Sequence, residues 1–262
     1  MSETTPTEAT KQNVEILFDI SASAARIAAS CRAHADIRYY LTGIKVEPKS
    51  DGGAFVAGSN GHILGVCDDA SGICSGSVIV SITKELYKAL PRRVTYDKTS
   101  MRLQLVRFGS FTQLHLKANK KDVIGVFACE ILPGKFPNWR SVIPDITDLR
   151  PMTGPVHLPY LTYPSKAFDA DLGGQQVQFY QADPSTAVAM FLADHEDTLF
   201  VLMPQRPIDW DGKKVAAWSS AWADQRAIGH EMKKKEGEKA IGPDAIQHTE
   251  DPDHAEEEMA GV

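Results

Sequence analysis

Residues 38–68, RYYLTGIKVEPKSDGGAFVAGSNGHILGVCD, constrain the fold more than any other stretch of the chain. Apolar residues within 40–46 predict one strand, and residues 51–53 (Asp-Gly-Gly) predict a tight turn because glycine adopts positive φ easily. A second strand begins at residues 55–57 and is interrupted by residues 58–61 (Gly-Ser-Asn-Gly). The interruption is typical of a turn or bulge whose asparagine or second glycine has positive φ.

The neighbouring segments repeat one pattern of a helix followed by alternating strands. The first unit has a strand at 14–20, a helix at 21–36 that Ser21 or Ser23 can cap, the hairpin above, and a strand at 76–82. The second unit is predicted as a helix at 83–90, strands at 94–96, 101–106, 111–116 and 123–130, and a linker at 134–144. The third is shorter, with a helix at 160–172 and strands at 176–181, 187–192 and 198–203. Pro159 is tolerable in a first helical turn, whereas Pro164 is expected to end or kink the third helix.

Composition indicates a globular protein with a real core. Of the 262 residues, 43% are hydrophobic, and no run of about eighteen apolar residues predicts a membrane span. The polar residues 1–13 are expected to be a disordered leader rather than a secretory signal. The four cysteines form no C-x-x-C pair, which favours buried free thiols in a reducing, cytoplasmic compartment over disulfides or zinc ligands.

The net charge of -6 lies at one end of the chain. Residues 207–262 contain thirteen acidic and seven basic residues, so residues 1–206 contain 21 of each and are neutral. A neutral body argues against a strong static DNA binder but suits a protein that surrounds DNA, provided that its basic residues share one face. The acidic end of residues 207–262 is expected to be a flexible, disordered tail that begins with a partly helical segment.

Three segments resemble the bacterial DNA polymerase III β subunit family, the DNA sliding clamps. Residues 38–44 (RYYLTGI), with the Gly-His-x-Leu segment that follows at 61–64, resemble the middle domain of these clamps. Residues 136–144 (FPNWRSVIP) resemble the linker between the second and third domains, and residues 200–206 (FVLMPQR) resemble the C-terminal strand. The three segments occur in the family's order and together frame residues 14–206.

This resemblance implies an α+β fold of repeated modules, each a helix packed on an antiparallel sheet. Residues 14–144 correspond to a clamp-like domain of two half-modules, residues 145–206 to an abbreviated third half-module, and residues 207–262 to a tail. The implied function is that of a DNA polymerase processivity factor, in a truncated, phage-encoded form. Such a protein would encircle double-stranded DNA without sequence preference as a homo-oligomeric ring, and would bind DNA polymerase and a clamp loader through short peptide motifs.

In sliding clamps the helices line the central hole, so the resemblance implies that basic residues on the predicted helices face DNA phosphates. Long flexible cations suit binding that is independent of sequence. The alternative is that these charges merely face solvent. The residues concerned are Arg26, Arg32, His34, Lys84, Lys88, Arg92, Arg93 and Lys166.

The resemblance also implies an apolar pocket that docks partner peptides between the clamp's second and third domains. The matching positions are Leu41, Ser59, Gly61, His62, Ile63, Leu64, Pro137, Ser141, Val142, Val201, Met203, Pro204, Gln205 and Arg206. Ile63 stands where the family has a basic residue and Gln205 where it has Met, so the peptide preference is expected to differ. Each residue taken alone is also compatible with ordinary core packing.

Enzyme activity is not expected, and no cofactor or metal is implied. The sequence contains no P-loop, G-x-S-x-G or H-E-x-x-H motif, and His62, His115 and His157 lack metal-ligand spacing. Three alternatives to the ring remain. The first is a non-ring clamp-like protein that competes for clamp-binding partners, the second is a compact DNA-binding regulator, and the third is a hydrolase with a dispersed site that includes His62.

Overall fold

A computed structural model describes residues 14–92, 101–118, 122–152, 156–168, 176–193, 195–204 and Glu231. The chain divides into two compact units, Met1–Arg206 and Pro207–Val262. All described residues except Glu231 belong to the first unit, so the expectations for residues 1–13 and for the rest of residues 207–262 lie outside the described residues.

The described part of the first unit combines three short α-helices with antiparallel strands, which confirms the predicted α+β class. The α-helices are α1 (Ala22–Cys31), α2 (Lys84–Ala89) and α3 (Thr162–Ala167). The strands up to the second helix are β1 (Val14–Ser21), β2 (Gly43–Pro48), β3 (Ala54–Ser59), β4 (Ile63–Asp69), β5 (Ile73–Cys74) and β6 (Val78–Ser81). Those after it are β7 (Arg102–Phe108), β8 (Phe111–Ala118), β9 (Asp122–Ala128), β10 (Arg150–Pro151), β11 (Val177–Gln181), β12 (Val188–Leu192) and β13 (Thr198–Leu202).

The described strands form two sheets, and the strand before each of the first two helices pairs with the strands that follow the other helix. A small sheet has the order β5-β1-β7-β8-β9, and a large sheet has the order β10-β11-β12-β13-β4-β3-β2-β6. Strand β1 therefore joins the meander β7–β9 that follows α2, while β6 pairs with β2 of the meander that follows α1. The third unit joins the large sheet through the antiparallel pairing of β13 with β4.

The turns lie where the glycines predict them. Gly52 and Gly53 have φ of 93° and 88° in the β2–β3 hairpin, and Gly61 has φ of 87° between β3 and β4. The Asn60 side-chain oxygen accepts hydrogen bonds from the backbone N–H groups of His62 and Ile63 at 2.9 and 3.0 Å. The interruption at residues 58–61 is therefore a side-chain-stabilised turn, as expected.

The first helix is shorter than predicted because the backbone becomes extended at Arg32, with ψ of 158°. Ser21 occupies the N-cap position, but its hydroxyl lies 2.9 Å from that of Ser23 and makes no capping bond to the helix backbone. All ten residues of α1 are buried. The helix lies close against β3 and β4, where Gly58 and Gly65 face each other across the strand pair.

Three further predictions for elements are wrong, and one lies outside the described residues. Tyr40 belongs to a 3₁₀ turn, Tyr39–Leu41, and not to a strand. The third helix is short and follows a 3₁₀ turn at Leu158–Leu161. Pro164 neither ends nor kinks α3, because it falls in the first turn, where backbone N–H groups have no partner within the helix. Residues 94–96 are among those not described.

The apolar residues separate into two clusters on the two faces of the large sheet. The helix-side core contains Ile27, Ile63, Leu86, Phe200 and Leu202, all fully buried. The outer cluster is built around Leu41, Leu64, Phe136, Trp139 and Val201. Adjacent strand residues such as Ile63 and Leu64 belong to different clusters because successive side chains point to opposite faces.

The cysteines are more varied in burial than expected. Cys31 and Cys67 are buried, whereas Cys74 and Cys129 are half-buried. Burial raises the pKa of the Cys31 thiol to about 12, so this thiol stays protonated near neutral pH and is a poor nucleophile.

Candidate functional site

Two of the basic residues predicted to face DNA are buried. Arg26 is 7% exposed and Arg32 is 8% exposed. The Arg26 guanidinium donates to the backbone carbonyls of Tyr87 and Leu90 at 2.7 and 2.8 Å and to that of Lys166 at 3.1 Å. Arg26 thus bonds carbonyl groups at the C-terminal ends of both α2 and α3, which carry partial negative charge.

Arg32 has a similar structural role. Its guanidinium donates to the carbonyls of Ala29 and Ile82 at 2.7 and 3.2 Å, and both arginines lie over the ring of Tyr87. Burial lowers the pKa of both guanidinium groups from the ordinary value. The expectation that Arg26 and Arg32 face phosphates does not agree with this placement, because their hydrogen-bonding groups are turned into the protein.

The other cations of the predicted set that the structure describes are on the surface. His34, Lys84, Lys88, Arg92 and Lys166 are exposed, and Arg93 lies outside the described residues. Because one guanidinium reaches both Leu90 O and Lys166 O, the ends of α2 and α3 are close together. The structure therefore brings Lys88, Arg92 and Lys166 into one region, although the sequence places them more than 70 residues apart at the extremes.

The junction of β4 and β13 gathers several of the predicted pocket residues. Leu64 pairs with Val201, and the backbone N–H of Met203 donates to the carbonyl of His62 at 2.8 Å. Leu41 joins Leu64 and Val201 in the outer cluster, and Val142 packs against its edge. The tertiary structure thus brings together residues from three separate segments that the family resemblance had grouped.

The pocket differs from expectation in its floor. Leu41, Leu64 and Val201 are no more than 2% exposed, so they are covered core residues and not open surface. Ile63 lies in the helix-side core on the opposite face, because it is adjacent to Leu64 in the strand. The accessible part of the set consists of exposed Gly61, His62, Pro137 and Ser141 and half-buried Ser59, Val142, Met203 and Pro204, while Gln205 and Arg206 lie outside the described residues.

The linker is held on the outer face of the large sheet by a carboxylate that sequence reasoning missed. Glu47 accepts hydrogen bonds from the Trp139 indole at 3.2 Å and from the Arg140 guanidinium, and it also pairs with Lys45. Burial opposes ionisation of Glu47, but the hydrogen bonds from Lys45 and Arg140 outweigh it and lower the pKa. The signal that could have identified Glu47 is its place two residues after Lys45 in β2, because the two charged side chains then lie on the same face of a strand whose other residues are apolar.

Next to the outer cluster lies an open groove that the sequence did not predict. It has a volume of about 350 Å³ and an apolar floor, with acidic residues at its rim, and it is lined by Phe55, Val66, Asp68, Trp139, Arg140, Ile143, Glu196, Asp197, Thr198 and Leu199. The Trp139 ring packs edge-on against Phe55 at a centroid distance of 5.4 Å. On the other side of the junction, His62 stacks on Tyr160 at 5.8 Å. The module junction is therefore rich in aromatic side chains.

No side-chain cluster suited to metal binding occurs among the described residues, and no described helix is long and apolar enough to cross a membrane.

Comparison with known proteins identifies bacterial sliding clamps among the similar proteins. No protein-family profile matches the chain. The β sliding clamp of Escherichia coli K12 is 31% identical over 116 residues, which cover 44% of this chain and 29% of the relative. The match therefore spans less than a third of that relative's length.

Solved structures extend the similarity beyond this segment. The DNA polymerase sliding clamp of Pseudomonas aeruginosa, solved with a ligand, has a TM-score of 0.52 at 19% identity. The match covers 78% of this chain and 69% of the Pseudomonas chain. The sliding clamp of Bacillus subtilis has a TM-score of 0.53 at 13% identity, with coverage of 78% and 67%. At these identities the likeness concerns the fold alone. The chain therefore has the fold of the bacterial sliding clamps and is similar in sequence to one of them over 116 residues.

Proposed function

We propose that the chain is a non-enzymatic DNA polymerase processivity factor, which encircles duplex DNA as a homo-oligomer and docks replication proteins at the β4–β13 junction. The observation that carries this proposal is the convergence of Lys88, Arg92 and Lys166 at the helix ends joined by Arg26. Exposed lysines and arginines without a base-reading set favour contact with phosphates irrespective of sequence.

A threading assay tests encirclement. The chain is incubated with linear duplex DNA tethered at one end, and streptavidin then blocks the free biotinylated end before a wash at high salt. A ring is retained only on the blocked DNA, because salt weakens phosphate contacts but does not release a topological link. Equal loss from blocked and open DNA would contradict the ring.

The exposed lysines of α2 are predicted to set the salt dependence of DNA association. We expect the double variant Lys84→Ala/Lys88→Ala to reduce the slope of log K against log salt by about 2, because each phosphate contact contributes about 0.9. Lys117→Ala/Lys135→Ala serves as the control, since these residues lie on β8 and in the linker. If the salt slope changed equally in the α2 variant and in the control, α2 would not belong to the proposed DNA face.

Partner docking is predicted to depend on Val142. Ten-residue peptides selected from a random display library against the full chain provide the probe, and their affinity is measured by fluorescence anisotropy. Val142→Asp is expected to weaken binding about tenfold, because a charge would be placed at the edge of the outer cluster. Val177→Asp on β11, where Val177 is 39% exposed, is the control. If the peptides bind both variants as tightly as they bind the parent protein, they dock elsewhere.

A non-ring protein that competes for clamp-binding partners is the second candidate. The observation that favours it is the burial of Arg26 and Arg32, which reduces the basic surface available to DNA. This candidate predicts peptide binding that depends on Val142 but no retention on end-blocked DNA, so the two experiments together separate it from the ring.

A further inference from the structure

The apolar groove beside the outer cluster is separate from both the proposed DNA face and the proposed docking junction. Its floor contains Val66 of β4 and Leu199 of β13, which pair directly across the two strands. Phe55, Trp139 and Ile143 form the apolar wall, and the groove has a volume of about 350 Å³. We call it the outer groove. None of the residues that line it belongs to the predicted peptide pocket at the β4–β13 junction.

The aromatic wall of the outer groove is held in place by contacts within the chain. The Trp139 indole donates to the Glu47 carboxylate at 3.2 Å, and the central carbon of the Arg140 guanidinium lies 4.1 Å from the centroid of the Trp139 ring. Arg140 is itself paired with Glu47, and Phe55 packs edge-on against Trp139 at 5.4 Å. A partner that binds such a wall loses little additional conformational entropy, which favours binding.

The outer groove also leaves apolar surface open to water. Phe55, Ile143 and Leu199 are half-buried, whereas Val66 and Trp139 beneath them are each 5% exposed. A large aliphatic or aromatic side chain placed over Leu199 would remove this surface from water, and burial of apolar area is favourable.

The rim of the outer groove carries more acidic than basic residues. Asp68, Glu196 and Asp197 lie at the rim together with Arg140, whose guanidinium is paired with Glu47. The backbone N–H of Asp68 donates to the Asp197 carbonyl at 2.7 Å, so these two residues lie side by side where β4 ends and β13 begins. Glu196 is exposed in the turn before β13. A cation at the mouth of the groove is therefore attracted by the rim, whereas an anion is repelled.

Lys49 offsets only part of this negative charge. Its ammonium group pairs with Asp68 at 2.7 Å and lies 3.9 Å from the carboxylate of Asp51, so two carboxylates share it. Neither Lys49 nor Arg140 therefore reverses the sign of the rim.

We propose that the outer groove docks a short peptide segment of a partner protein, in which a large apolar residue lies within two positions of an arginine or lysine. The apolar side chain covers Val66 and Leu199, and the basic side chain reaches Glu196 at the rim. Nucleic acid does not fit this site, because its phosphates would meet carboxylates. The site adds to the proposed function and does not depend on it, since the groove lies on the face of the large sheet opposite to the helices.

Selection from a display library of random ten-residue peptides tests the outer groove. The full parent chain is the bait, and counter-selection against Ile143→Thr removes peptides that bind elsewhere, including at the β4–β13 junction. We expect the enriched peptides to combine a large apolar residue with a basic residue within two positions. If no peptide is enriched, or if the enriched peptides lack the basic residue, the proposal is wrong.

The affinity of one enriched peptide, labelled with fluorescein, is then measured by fluorescence anisotropy. Glu196→Lys is expected to weaken binding about tenfold, because a cation would face the basic residue of the peptide. Leu199→Thr is expected to weaken it to a similar extent, about tenfold, through the loss of apolar contact. Glu85→Lys and Val177→Thr are the matched controls and should bind like the parent chain, since Glu85 is exposed on α2 and Val177 is 39% exposed on β11.

A charge exchange separates direct contact from loss of structure. A peptide with glutamate in place of its basic residue should bind the parent chain about tenfold more weakly and should regain affinity for Glu196→Lys. This recovery would also demonstrate that Glu196→Lys is folded. Absence of recovery, or binding to Leu199→Thr that is as tight as binding to the parent chain, would overturn the proposal.

Sedimentation equilibrium without peptide tests the other possible occupant, a second copy of the chain. We expect Leu199→Thr to leave the oligomeric state unchanged, whereas an oligomer that this variant dissociates would show that a second copy fills the groove and would overturn the peptide proposal. The threading assay and the Val142→Asp measurement concern other surfaces. Failure of the outer groove and failure of the proposed function are therefore distinguishable.

Discussion

Replacing Gly58 with alanine is expected to destabilise the protein by at least about 3 kcal/mol, or to prevent folding altogether. A Cβ atom at residue 58 would lie 1.9 Å from the backbone oxygen of Ala28 and 2.6 Å from its carbonyl carbon. Both are atoms of the α1 backbone, which is held by burial on all sides. The helix would have to move off β3, and the helix-side core would open with it.

Urea denaturation followed by circular dichroism measures this effect. Gly76→Ala is the matched control, because a Cβ atom there meets nothing within 4 Å, and its stability should stay within about 0.5 kcal/mol of the parent chain. Adding Ala28→Gly to Gly58→Ala should not restore stability, since the clash is with backbone and not with the Ala28 side chain. A Gly58→Ala protein as stable as the control would show that α1 does not sit this close to β3.

Replacing Arg26 with methionine is expected to lower stability by about 3 kcal/mol while leaving the salt dependence of DNA association unchanged. Methionine fills much of the same volume but cannot donate to the carbonyls of Tyr87, Leu90 and Lys166. Buried carbonyls left without donors are costly, and the ends of α2 and α3 would lose their common partner. Arg26→Lys should recover only part of the loss, because one ammonium group cannot reach both helix ends in the manner of a guanidinium fork.

Arg92→Met provides the opposite control. Arg92 is exposed, so its replacement should change the free energy of unfolding by less than about 0.5 kcal/mol. It should instead reduce the salt slope of DNA association by about 1, as expected of a phosphate contact. If Arg26→Met kept full stability and reduced the salt slope, Arg26 would be a DNA contact and its burial between the helices would be wrong.

The pocket illustrates where reasoning from sequence succeeds and where it stops. The resemblance grouped Leu41, Leu64, Val142 and Val201, and the structure places these residues in one apolar cluster, because the segments that resemble the clamp family occur in a recognisable order along the chain. It did not predict that the floor is covered, since burial depends on how residues 136–143 lie on the sheet. That placement is set by Glu47, whose contacts with Trp139 and Arg140 join residues about ninety positions apart.

The basic residues predicted to lie on the helices show more clearly what the sequence cannot predict. The sequence identifies Arg26 and Arg32 as cations on a small-residue helix, and such residues usually project into water. Whether a guanidinium points outward or inward depends on what lies beside it. Here the carbonyls at the ends of α2 and α3 lie within reach of Arg26, and the carbonyl of Ile82 lies within reach of Arg32, which no local pattern of α1 reveals.

By itself, the sequence determined the local structure of this protein: the alternation of helix and strands and the turns at Gly52, Gly53 and Gly61. These features follow from backbone freedom and from the two-residue and 3.6-residue periods of apolar side chains, which act over a few residues. Only the tertiary structure decided that β1 and β6 each pair with the strands that follow the other helix, and that β13 continues the sheet at β4. The reason is that periodicity specifies which face of a strand is buried, whereas the strand beside it is chosen by packing and hydrogen bonding across the whole chain.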